Sequence, residues 1–182
     1  MIINMKLGGV EVAFNSAHSI SQSFEPISAE IVHRMSDGSA VKQTAWSGKM
    51  RISTRGDGKI PLALLDLDYS GMLVLDCCSP LSVFSASTAL TLPDDWSYDG
   101  DEYAAWRYDV SLVGHAIVSG MLRQAAISSI VDNDVTLTSV SGASGYQLSY
   151  WPRYCVFASR PQESGSGRGY PGRSWSLIAE QV

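Results

Sequence analysis

The chain of 182 residues contains no apolar run of about eighteen residues, so no helix of it is expected to cross a membrane. Its N-terminus, MIINMKLGG, lacks a basic start followed by a long apolar stretch, so no secretory leader is expected and synthesis in the cytoplasm is. Charge is sparse: charged residues make up 17% of the sequence, and no segment is rich in Lys and Arg. A surface that neutralises phosphates needs a basic face, so a nucleic-acid partner is not expected. Cysteine is scarce too, at Cys77, Cys78 and Cys155. Adjacent residues of a strand point to opposite faces, so Cys77 and Cys78 make a poor disulfide pair. Three thiols without C-x-x-C spacing also fall short of a zinc site. Reduced, packed thiols are the expectation, and no metal or other cofactor is implied.

Catalytic motifs are missing as well. The three histidines, His18, His33 and His115, do not form H-E-x-x-H. SGASG at 141–145 fails the nucleophile-elbow spacing, because Ser144 is followed directly by Gly145. Gly58-Lys59 lacks the flanking residues of a phosphate loop. Gly167-Arg168-Gly169-Tyr170-Pro171-Gly172 is a literal G-x-G-x-x-G. A dinucleotide turn needs a helix after it and an acidic residue about twenty positions on. Here ten residues remain and they read as a strand, so the match is expected to be a flexible loop.

What is present is apolar, small and β-branched. The hydrophobic fraction is 45%, enough for a sizeable core. Gly, Ser and Thr are plentiful and helix-surface Lys and Glu are few, a mixture that favours strands and turns. IINMKLGGVEVAF reads as a hairpin over Gly8-Gly9, and SAEIVHRMSDGSAVKQTAW as a second one over Asp37-Gly38. In the latter, Ile31, His33 and Met35 share one face while Val32 and Arg34 share the other, and His33 is expected to be half buried. KMRISTRGDGKIP adds a strand. PLALLDLDYSG is the best helical segment, short and bounded by Pro61 and Gly71. MLVLDC is apolar enough to be a strand buried on both faces. HAIVSGMLRQAAISSIV is ambiguous, with Gly120 favouring strands. DVTLTSV, YQLSYWPRYCVFAS (with Pro152 marking an edge or bend) and WSLIAEQV complete the series. The fold class is therefore all-β: a sandwich or barrel of short antiparallel strands in a single domain over 1–182, with at most one or two short helices.

Two segments stand apart. Residues 85–104 hold Asp94, Asp95, Asp99, Asp101 and Glu102 with no Lys or Arg, and they account for the net charge of −5, since the other acidic residues balance the Lys and Arg. A loop this long is usually functional. Its acidic spacing does not match an EF-hand, which leaves calcium binding open. With Trp96, Tyr98 and Tyr103 among the carboxylates, it also has the makings of a docking element. The second segment is the Gly-rich loop at 160–174. The candidate interface thus comprises Asp94, Asp95, Trp96, Tyr98, Asp99, Asp101 and Glu102 on one side and Arg160, Arg168 and Arg173, with Arg153, on the other. Five tryptophans, Trp46, Trp96, Trp106, Trp151 and Trp175, raise a carbohydrate-binding module for host-surface recognition as an alternative. Trp46, Trp106 and Trp175 lie in strand-like stretches and are expected in the core instead. A hydrolase with a dispersed site is a second alternative.

The run SISQSFEPISAEIVHRMSDGSAVKQTAWSGKMRISTRGDGKIPLALLDLDYSG resembles small tail and baseplate structural proteins of tailed bacteriophages. The resemblance rests on the polar strand around Ser21-Gln22-Ser23, on RMSDGSAVKQTAW, on the Gly-flanked turn, on LLDLDYSG leading into an apolar strand, and on the closing WSLIAEQV. It covers residues 17–76 and 145–182, carries no catalytic residue, and has no counterpart for the acidic loop. It implies a non-enzymatic virion component, located in the tail, that assembles as a homo-oligomeric ring or adaptor. Its partners would be itself and other phage tail proteins, with no membrane, nucleic acid or small-molecule substrate.

Overall fold

The computed structural model describes residues 4–12, 19–93, 112–165 and 173–182. Among them the fold is all-β with a single helical turn. The chain groups into two compact units, Met1–Leu75 with Cys155–Val182, and Asp76–Tyr154. Both boundaries fall inside strands, so no linker or change of composition marks them.

The first unit begins with β1 (Met5–Leu7) and β2 (Val10–Val12), joined over Gly8-Gly9 as the sequence predicts. Both glycines have positive φ, the geometry of a primed two-residue turn. Next come β3 (Ile20–Arg34) and β4 (Ala40–Asp57). The second strand of the expected second hairpin and the expected separate strand after it are one continuous β4. The helical segment shrinks to α1 (Leu62–Leu65), which Pro61 precedes and whose Leu64 is buried. The Tyr69 hydroxyl donates to the Leu64 carbonyl at 2.7 Å, which turns the chain out of the helix at once. MLVLDC yields β5 (Leu73–Asp76), buried at its second half.

The second unit contains β6 (Leu81–Ser85), β7 (Ala89–Thr91), β8 (Leu112–Val118), β9 (Met121–Gln124), β10 (Ile127–Val131), β11 (Asp134–Leu137) and β12 (Ala143–Tyr150). The stretch that was ambiguous in sequence is strand throughout, turning at Ser119-Gly120, both in the left-handed region. Two sheets result, β6-β12-β8-β9 and β10-β11-β7. Their inward residues form one core: Leu90, Val135 and Leu137 from the three-stranded sheet, and Leu112, Ala116, Tyr146, Leu148 and Tyr150 from the four-stranded one. Period-two alternation along β12 puts its two tyrosines and Leu148 on that face. The Tyr146 hydroxyl keeps a polar partner there by accepting from the Val140 amide at 3.1 Å. The expected loop at 85–104 therefore opens with a strand, because Leu90 and Leu92 are core residues.

The chain returns to the first unit through β13 (Arg153–Ala158), β14 (Gln162–Ser164) and β15 (Ser174–Gln181). Pro152 falls at the bend between β12 and β13. The sheet runs β2-β1-β5-β13-β15-β4-β3, with β14 also paired to β15. On its buried face Trp175 lies opposite Gly56, Leu177 opposite Thr54 and Ala179 opposite Ile52. Trp175 is 1% exposed, and its ring fills the space a side chain at Gly56 would need. Within the segment at 160–174 lies β14, and a strand rather than a helix begins at Ser174.

Candidate interaction surface

The β3–β4 pair has two distinct halves. Near the body, Phe24 faces Ile52 and Gln22 faces Thr54, with the Gln22 amide donating to the Thr54 hydroxyl at 3.2 Å. On the opposite face Arg51 reaches Glu180 on β15 at 2.8 Å and Glu25 on β3 at 3.5 Å. The hydrogen bond and charge of Glu180, with Glu25 behind it, raise the Arg51 guanidinium pKa further. This row of charges ties three strands together.

Beyond Ile27 the pairing changes. From Ile27↔Lys49 to Ala29↔Trp46, and again from Ala29 to Glu30↔Thr44, β4 spends one residue more than β3. Gly48, with φ of 81°, supplies the left-handed residue at the first of these bulges. Bulges bend and twist the bulged strand. From here to the turn, every residue from Glu30 to Gly48 is exposed. The β3 stretch from Ile27 to Arg34 alone spans about 25 Å at strand rise. The tip is well formed: the Met35 amide donates to the Ser39 carbonyl at 2.8 Å and Gly38 turns the chain at φ of 85°. Asp37 accepts from the Ser39 amide at 2.9 Å and the Ser39 hydroxyl at 2.7 Å, and these bonds lower its carboxyl pKa.

Directly paired residues share a face. One face of this arm carries Ile31, Gln43, His33 and Val41, with Ala29 and Trp46 behind them. The other carries Glu30, Thr44, Val32, Lys42, Arg34 and Ala40. On the second face Lys42 bonds Glu30 at 2.6 Å, which lowers the Glu30 carboxyl pKa. The first face carries no Asp, Glu, Lys or Arg, yet Ile31 is 60% exposed and Trp46 48%. Val41 is exposed on this face too, Val32 on the other, and Met35 at the turn. An isolated two-stranded hairpin is marginal in water, and an apolar face on one is a surface to be covered.

Two expectations are corrected here. Trp46 is not in the core and His33 is not half buried, because the arm has no second layer over it among the described residues. Trp175 is in the core, as expected, and the Trp151 indole donates to the Cys78 carbonyl at 2.9 Å. No disulfide joins the three cysteines, and burial pushes the Cys78 thiol pKa up.

The predicted interface fares differently residue by residue. Asp94, Asp95, Trp96, Tyr98, Asp99, Asp101, Glu102 and Arg168 lie outside the described residues, as do Tyr103, Trp106, His18 and the G-x-G-x-x-G match. Arg160 is exposed and donates to the Leu65 carbonyl at 2.7 Å, bracing the turn after α1. Arg173 reaches Glu163 across the β14–β15 pair at 3.5 Å. Arg153 is removed from the set: its guanidinium bonds both carboxylate oxygens of Asp76, at 2.6 and 3.2 Å, and both residues are buried. That pair holds together the strands by which the chain enters and leaves the second unit.

The arm was visible in sequence as a hairpin but not as a surface. The signal available was length, since strands of 15 and 18 residues exceed the usual five or six. Among the described residues no cluster of His, Cys, Asp and Glu could hold a metal ion. No known family model matches the chain, and no curated protein is significantly similar to it.

Proposed function

We propose that the chain is a non-enzymatic structural protein of a bacteriophage tail or baseplate, assembling as a homo-oligomeric ring or adaptor. The observation that carries this reading is the β3–β4 arm. A two-stranded projection with Ile31, Val41 and Trp46 in water is a surface that a partner covers, as in an assembling subunit. Among the described residues the arm also offers unpaired backbone along its outer strand, a ready template for a neighbour's sheet. The resemblance of residues 17–76 to tail and baseplate proteins covers this same hairpin. Other tail proteins are the further partners.

Mass spectrometry of purified virions, together with native mass spectrometry of the isolated protein, tests the proposal. The chain should be present in the particles and should form oligomers of defined stoichiometry. Its absence from the particles would remove the tail assignment.

A further inference from the structure

β3 ends the sheet, so among the described residues no strand pairs with its outer edge. Such edges are normally blunted by proline, charge or bulges. Pro26 does this for the body half. The outer half has no proline, and both bulges of the arm lie on β4. Its sequence is Glu30-Ile31-Val32-His33-Arg34, acidic at one end, basic at the other and apolar at the centre.

We infer that two copies of this chain pair edge to edge through antiparallel β3 strands, on a two-fold axis at Val32. The inference rests on the proposed assembly role of the arm. In that register Glu30 stands opposite the second copy's Arg34, Arg34 opposite its Glu30, Val32 opposite Val32, and Ile31 opposite His33. Residues placed directly opposite share a face, so both ion pairs fall beside Val32 on the charged face and the apolar faces of the two arms become continuous. Competing registers do worse. A slip of one residue sets the charged face against the apolar one. A two-fold axis at Ile31 or His33 leaves the Glu30 and Arg34 charges without each other, and one at Glu30 or Arg34 opposes like charges. Parallel in-register pairing sets like beside like along the whole edge. Existing contacts do not block the pairing. The Glu30 carboxylate, bonded to Lys42 and Ser28, keeps lone pairs for a further donor, and among the described residues Arg34 donates one long bond, 3.4 Å to the Gly38 carbonyl. The product is a four-stranded ribbon in place of two marginal two-stranded ones; this isologous contact closes a dimer, which larger adaptors would link through a different surface.

The test is Val32→Cys under mild oxidation, with the unmodified protein as the background for Cys77, Cys78 and Cys155. Opposed antiparallel residues have Cα atoms roughly 4.5–5.5 Å apart, inside the disulfide range, so V32C should form a disulfide-linked dimer in high yield. Glu30→Arg should weaken self-association about tenfold, since it turns two attractive cross-strand pairs into two repulsive ones. Glu30→Arg with Arg34→Glu should restore it. Oligomers that form without a V32C cross-link, and that ignore the charge swap, would overturn this pairing while leaving the assembly reading intact. A protein that stays monomeric at every concentration would overturn both.

Discussion

Gly56→Ala is the sharpest perturbation of the body of the first unit. A Cβ built at Gly56 lies 2.3 Å from Cε2, 2.4 Å from Cζ2 and 2.5 Å from Nε1 of Trp175. Carbon atoms in ordinary contact sit about 3.5–4.0 Å apart, so more than 1 Å must be found. The backbone has little freedom to supply it, because Gly56 is paired on both sides, to Trp175 on β15 and to Ile20 on β3. The indole must move, and it is 1% exposed. Overpacking of this kind costs about 1–3 kcal/mol, and a clash with a rigid ring belongs at the upper end. At about 3 kcal/mol, the melting temperature should fall by roughly 6–12 °C for a chain of this size. Thermal unfolding followed by near-ultraviolet circular dichroism reads the shift. The clash is with ring atoms that lie beyond the reach of a leucine side chain, and among the described residues the Trp175 Nε1 has no hydrogen-bond partner to lose. In a Trp175→Leu background, itself less stable for the lost ring, the added cost of Gly56→Ala should therefore be much smaller, a coupling that a double-mutant cycle measures. Equal cost in both backgrounds, or no cost in the native one, would refute the reasoning.

Two further outcomes follow from the polar contacts. Asp76→Asn should destabilise the protein by about 3–5 kcal/mol, because it leaves the buried Arg153 charge uncompensated. Asp76→Leu with Arg153→Met should cost far less in the same denaturant titration, and equal losses would contradict the account. At the arm tip, the Asp37 carboxyl pKa is lowered by the Ser39 hydroxyl first and the Ser39 amide second. A depressed carboxyl stabilises the fold above its unfolded value, about pH 4, and that support is lost as pH falls through the folded value. The protection of the Met35 and Ser39 amides, taken relative to their intrinsic exchange rates, should therefore fall selectively in acid, and Asp37→Asn should remove that selective loss.

The all-β class was legible because strand and turn chemistry is local. Gly8-Gly9, Asp37-Gly38 and Gly120 each mark a turn that the fold contains. The alternation of Ile31 and His33 against Val32 and Arg34 was legible for the same reason. What local pattern does not state is whether a second layer covers a face. Trp46 and Trp175 both sit in strands, yet one meets solvent and the other meets Gly56. Arg153 read as a surface cation because its partner, Asp76, is 77 positions away. The division into two units was hidden for a related reason, as its boundaries cut through β5 and β13 without a change in composition. The interface composed from the acidic segment and the arginines was a matching of charge alone. The arm, by contrast, unites exposed apolar residues, a free edge and a well-formed turn in one contiguous hairpin.

Hydrogen–deuterium exchange of the outer β3 segment, residues 27–34, as a function of protein concentration tests the central claim most directly. Among the described residues the outward amides of this edge have no partner strand, so at low concentration they should exchange quickly. As concentration rises they should become protected, while the amides of β8 and β12 in the second unit stay unchanged. Exchange at residues 27–34 that does not depend on concentration, at concentrations where the protein is oligomeric, would contradict the assignment of the arm as the assembly element.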